Sequence, residues 1–113
     1  MIARLSLVVI RSDDIEKSRA FYSALGLDFE QHDHPPCGKH YASEQDGFVF
    51  EICRRNLKEP TTSVFLGLHV GDLEERLKAI DPTSIVRPAE EGDWGRSAIV
   101  VDPDGHRIML TER

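Results

Sequence analysis

The chain has 113 residues, of which 40% are hydrophobic and 30% are charged, and its formal net charge is −6 at pH 7. This length suits one domain with its own core, and the acidic balance argues against nucleic-acid and anionic-membrane partners, which require a basic face. No apolar run approaches the roughly 18 residues of a membrane-spanning helix. Two cysteines, Cys37 and Cys53, are too few for a disulfide framework, so we expect two inert thiols in a cytoplasmic protein.

The first half of the chain predicts a strand, a helix and three further strands. The apolar run "LVVI" is typical of a first strand rather than of a signal peptide. A helix follows, with Asp13 or Asp14 at its N-cap and Gly26 at its end. Strand-like runs then lie at 27–32, 39–44 and 48–53. Asp46-Gly47 predicts a tight hairpin between the last two runs, because both central positions of such a turn take positive φ.

The second half repeats this plan at a constant offset. Asp14 corresponds to Asp72, which begins a second helix, and the Asp46-Gly47 turn corresponds to the Asp-Gly pair in "DPDGH". Strand-like runs follow the second helix at 83–87, 96–102 and 106–111. Two separate matches at one offset indicate that a whole βαβββ unit repeats. The single domain 1–113 would then consist of two modules, 1–57 and 58–113.

The repeat resembles the vicinal oxygen chelate superfamily, which includes glyoxalases, bleomycin resistance proteins and extradiol dioxygenases. The matching stretches are "SDDIEKSRAFYSALGL", "GFVFEI", "VGDLEERL" and "DWGRSAIVVDPDGHRIML". The resemblance implies an α+β fold in which two βαβββ modules form an open eight-stranded barrel-like sheet around a cleft, with the helices outside. That fold supports lyases, dioxygenases and binding proteins, so function depends on the residues of the site.

Metal-dependent members of this family have four ligand positions, which correspond here to Leu7, Glu51, Phe65 and Met109. Three of these side chains are apolar, and only Glu51 keeps a ligating group. A bound transition metal needs about three protein ligands. We therefore expect no metal, and no other cofactor, at the family's positions.

Histidines near Glu51 offer an alternative site. If the hairpin turn is centred on the Asp-Gly pair, Ala42 lies opposite Glu51; a turn one residue earlier places His40 there instead. Both registers keep His40 and Glu51 on one face, and a hairpin through "HPPCG" would bring His32 beside His40. His32, His40 and Glu51 could then hold a divalent metal such as Ni, Mn, Fe or Zn. Our preferred interpretation is that they are hydrogen-bonding groups in a cleft, with His34 a solvated turn residue.

The resemblance also implies a small-molecule cleft with apolar walls. The loop with Trp94 would overhang it, and this ring would either stack on a planar ligand or simply plug the end of the barrel. The predicted ligand-binding residues are Glu51, His40, His32, Trp94, Phe65, Met109 and Leu7. We predict a metal-free small-molecule binding protein of the bleomycin-resistance type, forming a homodimer whose partner completes the cleft. The alternative is a metal-dependent lyase or dioxygenase that uses the His/His/Glu set, and the sequence leaves open whether the protein is an enzyme.

Overall fold

A computed structural model describes residues 5–35, 37–55, 64–93 and 95–112. Trp94 and the predicted junction between the modules, at 57 and 58, lie outside the described residues. The first module contains β1 Leu7–Ser12, α1 Ile15–Ala24, β2 Glu30–His34, β3 Gly38–Gln45 and β4 Phe48–Arg54. The second contains β5 Phe65–Val70, α2 Leu73–Lys78, a 3₁₀ turn Pro82–Ser84, β6 Ile85–Gly92, β7 Gly95–Val101 and β8 Arg107–Glu112.

The strands form two four-stranded sheets with equivalent orders, β1-β4-β3-β2 and β5-β8-β7-β6. The first and last strands of each module pair in parallel, and the other neighbours pair antiparallel. The predicted α+β fold of two βαβββ modules is therefore confirmed. The two sheets are separate and do not close into a barrel. In the described part of the chain, no helix is both long and apolar enough to cross a membrane.

Both helices begin at the predicted aspartates. The Asp14 carboxylate accepts hydrogen bonds from the backbone N–H groups of Glu16 and Lys17, each at 3.1 Å, and Asp72 accepts one from Glu75. Such bonds satisfy donors that have no partner within the helix. The buried side of α1 packs on the first sheet as part of one hydrophobic core, so this helix covers one face of that sheet.

Strand alternation assigns the other side chains to the opposite face of the first sheet, which we call the far face. It carries Val9 of β1, Glu51 of β4, His40 of β3 and His32 of β2. The neighbouring Phe50 and Ile52 belong to the core under α1. The far face therefore carries the histidines and the carboxylate that the sequence singled out as candidate site residues.

The β3–β4 hairpin adopts the register with its turn on the Asp-Gly pair. Ala42 lies opposite Glu51, and Asp46 and Gly47 both have positive φ, at 51° and 82°. The other register, with His40 opposite Glu51, is wrong. A tight turn with two positive φ values fixes this pairing, because its backbone twist matches that of the flanking strands.

Two predicted strands are displaced along the chain. The run predicted at 27–32 forms β2 at Glu30–His34, and the run predicted at 83–87 forms β6 at Ile85–Gly92. The later start of β6 follows from the 3₁₀ turn before it, which Asp81 caps by accepting from Thr83 N–H at 2.9 Å. Because β2 extends to His34, this histidine lies on the strand, paired with Gly38 of β3.

Candidate functional site

Three histidines of the β2–β3 hairpin meet on the far face of the first sheet. His32 lies directly opposite His40 in the strand pairing, as the sequence predicted. Their ring centroids are 5.5 Å apart, and the His34 centroid is 4.8 Å from that of His40. One ligating nitrogen from each of the three rings lies within 4.8 Å of the others. The prediction that His34 is a turn residue is wrong, since it is the last residue of β2 and part of this cluster.

His40 is the buried member of the cluster, with only 2% of its side chain exposed. Its Nδ1 lies 2.7 Å from the backbone oxygen of Gly38. A carbonyl oxygen can only accept, so in the neutral ring Nδ1 carries the proton and Nε2 presents a lone pair. That Nε2 atom has no hydrogen-bond partner among the described residues. An unsatisfied buried nitrogen of this kind is uncommon, because buried polar groups are normally hydrogen-bonded.

Glu51 stands beside this nitrogen in the middle of β4. Its Oε2 atom is 3.6 Å from His40 Nε2, which is too far for a hydrogen bond. Its side chain is partly buried, with 21% exposed. His32 Nε2 has a similar neighbour in Glu30 Oε2, also at 3.6 Å.

A groove on the same face, which we call the Glu51 groove, has an open volume of about 990 Å³ including its solvent-exposed mouth. Its lining is acidic as well as apolar: Asp28, Glu30, Glu44, Glu51, His32, His34, Phe29, Ala42 and Val49. A more apolar cavity lies between the first sheet and β5, against Tyr22, Phe50, Leu66 and Leu68. That cavity contains none of the predicted ligand-binding residues.

The predicted apolar residues do not join the Glu51 groove. Leu7 and Phe65 are 52% and 60% exposed on β1 and β5, each the edge strand of its sheet. Met109 lies in β8, paired with Gly67. Leu7, Phe65 and Met109 provide no oxygen or nitrogen donor, so the donor set at the family's four positions does not fit a metal centre. Trp94 lies outside the described residues.

The structure pairs the two cysteines that the sequence suggested would be separate, inert thiols. Cys37, in the loop before β3, forms a disulfide with Cys53 near the end of β4, with the two Cα atoms 5.8 Å apart. Arg11 Nη1 donates to Cys37 Sγ at 3.7 Å. The disulfide ties the loop between His34 and His40 to the neighbouring strand. A signal was present in the sequence, since the register with Ala42 opposite Glu51 also places Cys53 across from His40, close to the loop that contains Cys37.

The structure contains a second group of possible metal ligands, Asp102, Asp104 and His106. Unlike the histidine cluster, this group is hydrogen-bonded within the protein. Asp102 accepts hydrogen bonds from Tyr22 Oη and from His106 Nδ1, both at 2.7 Å. Asp104 accepts from Ser18 Oγ at 3.0 Å. These carboxylates are satisfied by the protein itself, and they tie α1 to the turn between β7 and β8. This group is a structural network.

Comparisons with solved structures find the same fold in several proteins. TnmS3, an antibiotic binding protein from Streptomyces sp. CB03234, is 23% identical with a TM-score of 0.74, and the match covers 98% of this chain and 96% of that one. The oxidase ChaP-H2 is 19% identical with a TM-score of 0.76, over 100% and 95% of the two chains. TioX from Micromonospora sp. ML1 is 17% identical with a TM-score of 0.72, over 97% and 98%. At identities this low, the likeness shows a shared fold and does not extend to function.

Curated protein sequences gave no match to the chain. The family model of the Glyoxalase/Bleomycin resistance protein/Dioxygenase superfamily matches residues 4–110. This match spans both modules and agrees with the strand order of the two sheets. The chain belongs to the glyoxalase/bleomycin resistance protein/dioxygenase superfamily.

Proposed function

We propose that the protein is a small-molecule binding protein whose ligand is a cationic organic molecule, held in the Glu51 groove without a metal at the family's positions. One observation carries the proposal: four carboxylates, those of Asp28, Glu30, Glu44 and Glu51, line the groove beside the apolar Phe29 and Val49. Small-molecule sites commonly combine apolar walls with a few convergent polar groups. Here the polar groups are mostly acidic, which favours a positively charged ligand.

Glu51 is the residue on which we expect binding to depend most. It is partly buried, and a carboxylate removed from water is stabilised by a positively charged partner. Surface carboxylates such as Glu30, with 85% of its side chain exposed, gain less from the same partner because water screens the interaction. TnmS3, which has the same fold, is an antibiotic binding protein, and this supports a binding role.

A thermal-shift screen with planar amines and their neutral and anionic analogues tests this proposal, with EDTA present to remove metal ions. We expect the cationic members to raise the melting temperature and the anionic ones to have no effect. For the best compound, calorimetry should show that Glu51→Gln weakens binding about tenfold or more, the loss expected for a hydrogen bond to a charged group. Trp94→Ala measures the predicted stacking contribution separately.

Glu75→Gln is the matched control, because Glu75 lies on α2, is 64% exposed and pairs with Lys78. It removes the same charge from the chain, so its affinity should equal that of the wild type. Equal binding of cationic and anionic analogues, or an unchanged affinity in Glu51→Gln, would contradict the proposal.

A metal-dependent lyase or dioxygenase is the second candidate function. The observation that favours it is the buried Nε2 of His40 beside Glu51, which has no hydrogen-bond partner within the residues that the structure describes. Such an enzyme would require an ion at the histidines, and whether an ion binds there is a question separate from the organic ligand.

A further inference from the structure

We propose that His32, His34 and His40 bind one divalent transition-metal ion, at a site distinct from the family's ligand positions. This goes beyond the proposed function, since the site requires no organic ligand. The three residues are adjacent on the β2–β3 hairpin, and one ligating nitrogen from each lies within 4.8 Å of the others. Ligands on one tetrahedral ion lie about 3.3 Å apart when each bond is about 2.0 Å. Small rotations of the more exposed His32 and His34 rings would close that difference.

The orientation of the buried ring supports the assignment independently. His40 Nδ1 donates to the Gly38 carbonyl at 2.7 Å, and its Nε2 is buried and has no hydrogen-bond partner within the described residues. A histidine that binds a metal commonly donates its other ring N–H to a carbonyl or carboxylate, which fixes the ring and its tautomer. His34 has the same arrangement, with Nδ1 3.0 Å from the Pro35 carbonyl. Both rings therefore present Nε2.

Nearby carboxylates make the position favourable for a cation. Glu51 Oε2 is 3.6 Å from His40 Nε2, and Glu30 Oε2 is 3.6 Å from His32 Nε2. These separations are longer than a hydrogen bond and close to the spacing of two ligands on one ion. Three imidazoles with carboxylate nearby suit zinc, nickel, cobalt or ferrous iron, which accept mixed nitrogen and oxygen ligands.

The Asp102–His106 network provides the internal comparison. It also contains three possible ligands, but its oxygen atoms accept hydrogen bonds from Tyr22, Ser18, His106 and backbone N–H groups. An ion there would have to displace those bonds. At the His cluster an ion would instead satisfy a buried nitrogen that has no hydrogen-bond partner in the described part of the chain.

A Zn²⁺ titration of ¹⁵N-labelled protein, produced without a histidine tag and freed of metal, tests the proposal. The chain has five histidines, so His69 and His106 serve as controls in the same sample. We expect the ring nitrogens of His32, His34 and His40 to shift together and to saturate at one ion per chain, while those of His69 and His106 stay unchanged. No shift at one equivalent, or equal shifts in all the histidines, would overturn the proposal.

Variants identify the ligands by calorimetry with Zn²⁺ alone. We expect His32→Ala and His34→Ala each to weaken binding at least about tenfold, because even outer partners of a metal ligand contribute that much. His69→Ala, an exposed histidine of β5, is the matched control and should bind Zn²⁺ like the wild type. His40→Gln tests the buried ligand, with its melting temperature measured first to establish that it is folded. Wild-type affinity in both His32→Ala and His34→Ala would overturn the proposal whether or not the groove binds an organic cation.

Discussion

His40 and His106 are both almost completely buried, with 1% and 2% of their surface exposed, yet their surroundings differ. His106 Nδ1 is paired with the Asp102 carboxylate, so its burial is offset by a charge-assisted hydrogen bond. One nitrogen of His40 lies on the Gly38 carbonyl, and the other has no hydrogen-bond partner among the described residues. At the scale of single residues, the first histidine stabilises the fold, and the second is our proposed metal ligand.

The Tyr22 hydroxyl donates a hydrogen bond to Asp102 and so belongs to the structural network of Asp102, Asp104 and His106. It is fully buried, and burial together with the neighbouring Asp102 raises the pKa of this phenol well above its usual range. Tyr22→Phe keeps the ring but removes the donor to Asp102. We expect the free energy of unfolding to fall by about 1–3 kcal/mol, because a buried carboxylate loses a hydrogen bond. Urea denaturation of the two proteins measures the change.

Tyr41→Phe is the control for that experiment. Its hydroxyl donates to Glu16 at 2.6 Å, and Glu16 is half exposed, so water can replace the lost bond. We expect its free energy of unfolding to fall clearly less than that of Tyr22→Phe. An equal fall in the two variants would contradict the assignment of Asp102 as a buried structural acceptor.

Glu16 predicts a dependence of stability on pH. The hydrogen bond from Tyr41 and the contact with Lys39 lower the pKa of the Glu16 carboxyl in the folded protein. A lowered folded-state pKa contributes stability above the unfolded-state value, about 4.3 for glutamate, and that contribution is lost as the pH falls through the folded-state pKa. Glu16→Gln should therefore destabilise the protein more at pH 7 than near pH 3. Urea denaturation at both pH values tests this, and an equal effect at the two would contradict it.

The β2–β3 hairpin is the element on which the candidate metal site depends. Pro35 restricts the residue before it to extended conformations, which explains why β2 continues to His34. Three histidines consequently lie on neighbouring strand positions instead of in a solvated loop. The disulfide between Cys37 and Cys53 then fixes the loop between His34 and His40 against β4.

Removing this disulfide should reduce stability measurably. The two cysteines are 16 residues apart, and closing a loop of this size stabilises a protein by about 2–4 kcal/mol. We expect the double variant Cys37→Ser/Cys53→Ser to lose about that much free energy of unfolding. Reductant should lower the free energy of unfolding of the wild type towards that of the variant, and it should leave the value for the variant unchanged. Two titratable thiols in the unreduced native protein would contradict the pairing.

At the scale of the whole molecule, α1 joins the two modules. Its Ser18 and Tyr22 hydroxyls donate to Asp104 and Asp102 in the turn between β7 and β8. The two sheets nevertheless remain separate, and the edge strands β1 and β5 carry exposed apolar side chains. Leu7 and Phe65 are 52% and 60% exposed, and Leu5, just before β1, is 80% exposed. Exposed apolar residues on sheet edges favour association with another chain.

We propose that a second copy of the chain covers these edges, as the predicted homodimer requires. Light scattering during size-exclusion chromatography should give the mass of two chains for the wild type. Phe65→Asp should shift the protein to a monomer, because it places a charge at the proposed contact. Val86 is 45% exposed on β6, the edge strand on the other side of the second sheet. Val86→Asp therefore places the same charge away from the proposed contact, and this matched control should remain dimeric. A monomeric wild type would contradict the proposal.

The sequence alone was sufficient for the architecture. Aspartates at Asp14 and Asp72, together with the repeated Asp-Gly turns, determine local structure, because capping and positive φ act between residues close in the chain. The pairing of His32 with His40 followed from the same logic, since strand alternation and a short connection fix which residues face each other.

Only the tertiary structure decided which of these side chains have partners. His40 and His106 are both buried, but their partners differ. His106 is bonded to Asp102, four residues earlier in the same turn, at 2.7 Å, whereas Glu51 on the strand next to His40 stops 3.6 Å short of it. Likewise, the sequence identified Leu7 and Phe65 as apolar, but their exposure depends on how the sheets end. Patterns of neighbouring residues determine strands and turns, while hydrogen-bond satisfaction depends on exact interatomic distances, which are set only when the strands and helices pack together.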